Sequence, residues 1–338
     1  MTIRSIAISI VVLSLAAIGA AADPRTDDTY RRIVGEIVIP GYRDLTLGAR
    51  AHQAAWKTYC AAPSAEGRDG LVATFHDVAD RWAAIELFRS GPASEDFRRD
   101  RFFFWPGRKN AVERRLARVI EAAAEQKMTG ELIREESAAV QGLPALERLI
   151  FGDAAPHVEL GVGEDGRRLC EVGEAISVNA ANLADDMYKA WESRTDLPSD
   201  EAKTALATDL VTAYSIIKDV KIETVIGESA EDVKPRAAEF WLSGRTMRNI
   251  ILNLQSLDRT NAILRQTLPA DASLPAATLS ARGIAESAQP DLAATAAGKN
   301  RSEAIFLLDA VDAAGDRAIA EVPAALGVTV GFNSLDGD

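Results

Sequence analysis

This 338-residue sequence contains three histidines, His52, His76 and His157. Asp80 follows His76 by four residues, so a helix would place an imidazole and a carboxylate on one face, one turn apart. Both groups are ligands for metals such as iron or zinc. The sequence therefore makes His76 and Asp80 candidate metal ligands, although a solvated histidine beside an acid explains the same spacing.

The other two histidines have settings typical of structural residues. His52 lies four residues before Trp56 and eight before Cys60, so the three fall near one stripe of a helix. We expect a histidine of the core or of a cavity there. His157 follows a proline in a loop-like segment and should be exposed. The sequence has no H-E-x-x-H, G-x-S-x-G, P-loop or dinucleotide-binding glycine motif, so those enzyme classes have no local support.

Three short segments combine aromatic rings, glycines and single charges. They are residues 102–107 (Phe-Phe-Phe-Trp-Pro-Gly), 141–147 (Gln-Gly-Leu-Pro-Ala-Leu-Glu) and 239–245 (Glu-Phe-Trp-Leu-Ser-Gly-Arg). These mixtures of aromatic and polar residues stand out from the helical pattern of the rest of the chain.

Pro144 and Glu147 mark the second of these segments. Pro144 lacks a backbone donor, so it should kink a helix or begin one at that point. Glu147 then falls in the first turn, where the helix dipole favours a carboxylate. Three roles stay open for Glu147: it faces a cavity, it pairs with a cation such as Arg245 or Arg101, or it only stabilises the helix start.

Residues 1–22 have the three parts of a cleavable export signal. Arg4 supplies the positive charge, residues 6–18 form an apolar run, and three alanines precede Asp23. The run is too short to span a bilayer comfortably, and no later segment approaches about 18 uninterrupted apolar residues. We therefore predict an exported protein of the periplasm or cell envelope, without a stable membrane anchor.

The predicted mature chain is strongly acidic. Removing residues 1–22 takes away one basic residue, so 37 Lys and Arg face 50 Asp and Glu, and the net charge changes from −12 to −13. Such a field repels phosphate backbones and anionic lipids. We therefore expect neither nucleic-acid binding nor peripheral membrane binding.

Cys60 and Cys170 are the two cysteines of the chain. Exported proteins meet an oxidising compartment, so we expect a disulfide between them, with two buried free thiols as the alternative. The bond would close a loop of about 110 residues, and the chain-entropy model gives a stabilisation on the order of 4 kcal/mol for such a loop.

Apolar residues recur at steps of three and four along most of the chain, which indicates helices. The clearest stripes and segments are Leu71-Phe75-Val78-Trp82-Ile85, residues 206–220, 247–264, 111–125, 131–150 and 170–191, and a further start at Ile305. The run 33–39 fits either a strand or a helix by its period. We predict a helix kinked at Pro40, because a lone strand would leave its edges unpaired.

These elements predict an all-α protein with two helical-bundle domains. The longest break is residues 152–166, rich in glycine with one proline. A chain of this length can form one large or two medium domains, and we favour two. We place an N-terminal bundle at 23–155 and a C-terminal bundle at 165–338. The expected disulfide would cross this boundary.

At several segments the sequence resembles the imelysin-like family, exported bacterial proteins named for an insulin-cleaving metallopeptidase and often linked to iron uptake. The matching stretches are residues 82–92, 104–107, 136–152, 234–254 and the tail 331–338. The two cysteines also fall where the resemblance leads us to expect them. The resemblance implies a fold of two helical bundles related by pseudo-symmetry.

The family motif G-x-H-x-x-E is a proposed metal site, and this chain departs from it. Residues 142–147 are Gly-Leu-Pro-Ala-Leu-Glu, so Pro144 stands where the motif has a histidine. Proline offers no donor to a metal, and a metal there would depend on Glu147 and on partners that the motif does not identify. We therefore assign no catalytic residue and expect a protein without enzymatic activity.

The resulting functional hypothesis is an iron-uptake protein that binds a ligand or partner in a cavity between its bundles. The side chains expected to line or support this cavity are Glu147, Trp105, Trp82, Glu239 and Arg245. The implied ligand is iron, another divalent metal or a haem-related group. Two alternatives stay open: a metallopeptidase with Glu147 as its activating carboxylate, and an envelope protein interaction module whose surface is residues 102–105.

Overall fold

The computed structural model describes residues 24–107, 110–152, 158–194 and 198–330, and these residues contain helices and turns but no β-strand. The α-helices are α1 (Pro24–Ile33), α2 (Ile39–Ala61), α3 (Ala65–Ala83), α4 (Arg98–Phe102), α5 (Ala111–Ala122), α6 (Gly130–Glu135), α7 (Leu143–Ile150), α8 (Gly163–Glu192), α9 (Asp200–Ser215), α10 (Thr224–Ile226), α11 (Thr246–Leu264), α12 (Leu274–Ser287), α13 (Leu292–Ala297) and α14 (Arg301–Ala325). The predicted all-α class is confirmed. The predicted export signal, His157 and the tail 331–338 lie outside the described residues.

The ambiguous run at residues 33–39 is helical, as predicted. Residues Val34–Val38 form a π-helix that continues α1 into α2, and Pro40 sits in the first turn of α2. Because the helix runs unbroken from α1 into α2, the missing N–H of Pro40 removes one backbone hydrogen bond, and the irregular π-helical turn lies directly before it. A second π-helix, Ile216–Glu223, extends α9 towards α10.

The predicted helix at residues 131–150 is wrong in its middle. Helix α6 ends at Glu135, a 3-10 turn follows at Ala138–Val140, and α7 begins at Leu143 with Pro144 in its first turn. The expectation that Pro144 begins a helix is confirmed. The backbone at Gly142 passes so close to Phe102 that only glycine fits, because a Cβ there would lie 1.9 Å from the carbonyl oxygen of Phe102.

Helices α2 and α8 form the most extensive helix pair, and α3 packs on α2 from the other side. Gly173 of α8 makes the close approach, since a Cβ at this position would lie 2.2 Å from the Trp56 ring. The predicted disulfide is confirmed: Cys60, near the end of α2, is bonded to Cys170 of α8, and their Cα atoms are 5.6 Å apart.

Helices α9, α11, α12 and α14 pack together around the rest of the core, and α11 also contacts α3. The buried apolar side chains form one continuous cluster. Among the described helices, none has both the length and the low polarity that crossing a membrane requires. The division into two pseudo-symmetric bundles at residues 152–166 stays a prediction.

Candidate functional site

Trp105 lies in the extended segment between α4 and α5, beside a cluster of aromatic rings. The Trp82 ring centroid is 5.1 Å from that of Phe102 and 5.6 Å from that of Phe103. Phe103 in turn contacts Phe240, with 4.9 Å between centroids. Phe102 and Phe103 are buried, whereas Phe104 and Trp105 are half-buried. A docking surface made of all four rings of residues 102–105 is therefore not present.

Two cavities meet at Trp105. The first, here called the Glu147 cavity, has a volume of about 300 Å³ and is lined by Glu147 and Arg148 of α7, Glu113 of α5 and Trp241. The second, here called the arginine cavity, has a volume of about 430 Å³. Its polar and aromatic lining comprises Trp82, Glu86, Arg89, Arg99, Asp100, Phe103, Trp105, Asp209 and Lys221. Phe103, Trp105, Pro106 and Val220 belong to both linings, so Trp105 forms a shared wall.

A buried group of charges lies beneath the arginine cavity. Lys221, in the second π-helix, forms a very short ion pair with Glu86, and its Nζ lies 2.5 Å from Glu239 Oε2. Lys221 Nζ also donates to Asn249 Oδ1 at 2.9 Å, and Asn253 Nδ2 donates to Glu86 Oε1 at 2.8 Å. Each of the three charged side chains is less than 10% exposed. These contacts offset part of the cost of burying three charges, while Asn249 Nδ2 and Asn253 Oδ1 have no hydrogen-bond partner among the described residues.

The protonation of this group follows from burial and proximity. Burial, and then the charge of Glu86, raise the pKa of the Glu239 carboxyl well above its usual value. Burial alone would lower the pKa of Lys221, but the charges of Glu239 and Glu86 outweigh it and the pKa is raised. Lys221 is therefore a permanent cation that holds two carboxyl groups together. Its ammonium lies 5.9 Å from the Trp105 ring centroid, so the group also supports that ring.

Glu147 anchors the loop that follows Glu239. Its Oε1 accepts hydrogen bonds from Ser243 N at 2.9 Å and from Ser243 Oγ at 2.6 Å. The loop turns at Phe240, which has a φ of +50°, and closes with a hydrogen bond from Arg245 N to Phe240 O. Glu147 is thus both a cavity-lining residue and a structural acceptor at a strained turn.

The cations expected beside Glu147 have other partners. Arg101 Nε donates to Gln141 Oε1 at 2.7 Å. Arg245 forms a bidentate ion pair with Asp80 of α3, and Arg248 Nε also donates to Asp80 at 3.2 Å. Arg245 therefore lies outside both cavities and reaches the site only through the loop that Glu147 holds.

The ring of His76 is stacked on Phe151, with a centroid separation of 5.9 Å. Burial, and then the charge of Arg245, lower the pKa of the His76 imidazole. Asp80, one turn further along α3, is paired with Arg245 and Arg248. Within the described residues, no three or more His, Cys, Asp or Glu side chains converge as a metal site requires. The described residues around His76, Asp80 and Glu147 therefore do not fit a bound metal ion.

His52 is a core histidine, as its helical stripe predicted. It is 2% exposed and accepts a hydrogen bond from Trp56 Nε1 at its own Nε2. Its Nδ1 lies 3.0 Å from Thr74 Oγ1. Burial lowers the pKa of His52 to about 3, so the ring is neutral at physiological pH.

Of the predicted site residues, Trp82, Trp105 and Glu147 line one or both cavities, whereas Glu239 contacts Lys221 and belongs to neither lining. The sequence did not reveal the buried group that Lys221 forms with Glu86 and Glu239. Glu86 and Lys221 are separated by 135 residues, and neither belongs to a motif. A weak signal was present in α11, where Asn249 and Asn253 are one helical turn apart on a buried face. Amides at such spacing indicate that a polar group is buried opposite them.

Comparison with known proteins gives a family and a fold. Iron-regulated protein A of Synechococcus elongatus is 23% identical over 202 residues, which are 60% of this chain and 51% of that protein. The chain thus spans about half the length of the curated relative that it matches.

Among solved structures, an imelysin-like protein from Psychrobacter arcticum has a TM-score of 0.73 at 19% identity, covering 93% of this chain and 100% of that one. A protein described as an iron-regulated protein A precursor from Parabacteroides distasonis has a TM-score of 0.66 at 15% identity, covering 89% and 96%. At these identities the likeness is one of fold. The sequence model of the Imelysin family matches residues 38–325, nearly the whole described chain, and this protein therefore belongs to the imelysin family.

Proposed function

We propose that this chain is an exported, non-enzymatic binding protein that serves iron uptake and holds its ligand in the cavities that meet at Trp105. The observation that carries the proposal is the half-buried Trp105 ring, shared by both cavities and supported from below by the buried Lys221. Aromatic walls over a few fixed charges are the usual composition of a ligand site.

A binding role without catalysis is supported by the setting of Glu147. A metallopeptidase needs a bound metal and a carboxylate that activates water. In this chain Pro144 replaces the motif histidine, and Glu147 Oε1 already accepts two hydrogen bonds from Ser243. The described residues nearby do not supply a ligand set either.

Export and iron association rest on separate arguments. Residues 1–22 have the composition of a signal peptide, and the Cys60–Cys170 bond fits an oxidising compartment such as the periplasm. The Parabacteroides structure is that of a precursor, and two relatives carry iron regulation in their names. We extend both properties to this chain as part of the proposal.

The test is a binding titration of the mature protein, residues 23–338. Ferrous and ferric iron, zinc, copper and haem are added separately, and binding is followed by calorimetry and by elemental analysis after dialysis. We expect binding of an iron species, weakened at least tenfold by Trp105→Ala. Phe306→Ala, a change at a ring 61% exposed on α14, is the matched control.

Two outcomes would overturn the proposal. One is the absence of binding tighter than about millimolar to every probe by folded protein. The other is cleavage of insulin chains or casein that a chelator stops and that Glu147→Ala abolishes.

A further inference from the structure

Two arginines line the arginine cavity from neighbouring segments. Arg99 belongs to the short helix α4 and is 6% exposed, whereas Arg89 lies in the turn after α3 and is exposed at the cavity rim. Their charges are close enough to affect each other. Partial loss of hydration, and then the positive charge of Arg99, lower the pKa of the Arg89 guanidinium, and the charges of Asp100, Asp209 and Glu86 only partly oppose this shift.

Neither guanidinium has a carboxylate partner within the described part of the chain. Arg99 Nη2 donates to the backbone oxygen of Glu86 at 2.5 Å, and its Cζ lies 5.4 Å from the Trp82 ring centroid. Arg99 Nε is buried and has no hydrogen-bond acceptor among the described residues. Arg89 makes no side-chain hydrogen bond or ion pair with them.

The carboxylates around the cavity are engaged elsewhere or lie at its edge. Glu86 is paired with Lys221. Asp209 accepts hydrogen bonds from Ser90 N at 2.8 Å and from Ser90 Oγ at 2.6 Å, and burial raises the pKa of its carboxyl. Asp100 is exposed at the rim. Two neighbouring guanidiniums without a direct counter-charge make this side of the cavity a place where an anion is favoured.

Apolar side chains also line the cavity. Trp105, Phe103, Leu87 and Ile216 contribute to its wall, and the volume of about 430 Å³ admits a small organic molecule. Guanidinium groups bind carboxylates through paired N–H donors. We propose that the arginine cavity binds an organic carboxylate, whose oxygens accept from Arg89 and Arg99 and whose apolar body packs against Trp105. This inference rests on the proposed binding function and names the chemical class of its ligand.

The test compares three probes of similar shape and different charge: benzoate, neutral benzamide and the benzylammonium cation. Calorimetric titration of the mature protein at pH 7 should show that benzoate binds at least tenfold more tightly than either of the other two. Arg89→Met should weaken benzoate at least tenfold, and Arg89→Lys should weaken it less. Arg89 is the right position to change, because its side chain is exposed at the rim and makes no side-chain hydrogen bond or ion pair with the described residues.

Arg118→Met, at an exposed arginine of α5 outside both cavity linings, is the matched control and should leave benzoate affinity unchanged. Equal affinities for benzoate and benzamide, or an unchanged benzoate affinity in Arg89→Met, would overturn the inference. The iron and haem titrations of wild type and Trp105→Ala are run on the same preparations. If wild type binds iron or haem but not benzoate, the inference of a carboxylate ligand is overturned and the proposed function stands. If wild type binds none of these probes, the proposed function is overturned as well.

Discussion

Trp56 Nε1 donates a hydrogen bond to His52 Nε2 at 2.9 Å, one turn earlier in α2. Because Nε2 is an acceptor, the ring proton must be on Nδ1, which faces Thr74 Oγ1 at 3.0 Å. Thr74 Oγ1 in turn donates to Leu71 O at 3.0 Å. The chain of three hydrogen bonds requires a neutral imidazole, since protonation would place two donors face to face.

This arrangement predicts a loss of stability in mild acid. The folded pKa of His52, about 3, lies below the unfolded value of about 6.5. The stability that His52 contributes is therefore fully present above about pH 6.5 and is lost as the pH falls from there towards 3. Linkage gives a loss of about 2 kcal/mol between neutral pH and pH 5.

The check is urea unfolding at pH 7.5 and pH 5. His52→Gln keeps an acceptor for Trp56 but does not titrate. Between pH 7.5 and pH 5 its free energy of unfolding should therefore fall by about 2 kcal/mol less than that of wild type. His76→Gln, a change at a half-buried histidine, is the control, and its free energy of unfolding should fall on acidification by nearly as much as that of wild type. An equal loss in wild type and His52→Gln would contradict the assignment.

The disulfide should be a major contribution to stability, because it joins α2 and α8 across 110 residues of chain. Changing both Cys60 and Cys170 to serine should lower the free energy of unfolding by about 4 kcal/mol, with little change in helical circular dichroism. A reductant should shift the unfolding midpoint of wild type and leave the double variant unaffected. An unchanged midpoint for reduced wild type would show that the bond contributes nothing.

Removing the buried ammonium should be more damaging than removing either acid. Lys221→Met leaves Glu86 and Glu239 facing each other without a cation, and breaking such a buried pair costs about 3–5 kcal/mol. Glu239→Gln should cost less, because it removes one of two carboxyls that crowd each other. Chemical denaturation of both variants at pH 7 makes the comparison, and a larger loss in Glu239→Gln would contradict this ranking.

Glu147 should act through Ser243. Glu147→Ala removes the acceptor oxygen of two donors, which should cost about 1–3 kcal/mol and loosen the loop that carries Trp241. Glu147→Gln keeps an acceptor oxygen and should cost less. Denaturation together with tryptophan fluorescence measures both effects. Ser243→Ala removes only the hydroxyl bond, so a loss greater than that of Glu147→Ala would place the role of Ser243 elsewhere.

Much of the helical framework could be predicted because a helix that packs on a core repeats its apolar residues every three or four positions. Leu71, Phe75, Val78 and Trp82 were recognised in this way, and all are at most 2% exposed. Helix α12 is not among the predicted helices, because its many small residues give a weak apolar stripe, and Pro275 stands near its start. Proline is in fact well placed there, in the first turn.

The sequence by itself determined the helical class and the loss of the motif histidine at Pro144, and it predicted the pairing of its two cysteines. Each follows from local periodicity, composition or a contiguous motif. Only the tertiary structure decided that Lys221 meets Glu86 and Glu239, that Arg89 and Arg99 share a cavity, and that Arg245 pairs with Asp80. These partners come from elements far apart in the chain, and the local pattern of a helix records which face is buried but not what lies against it.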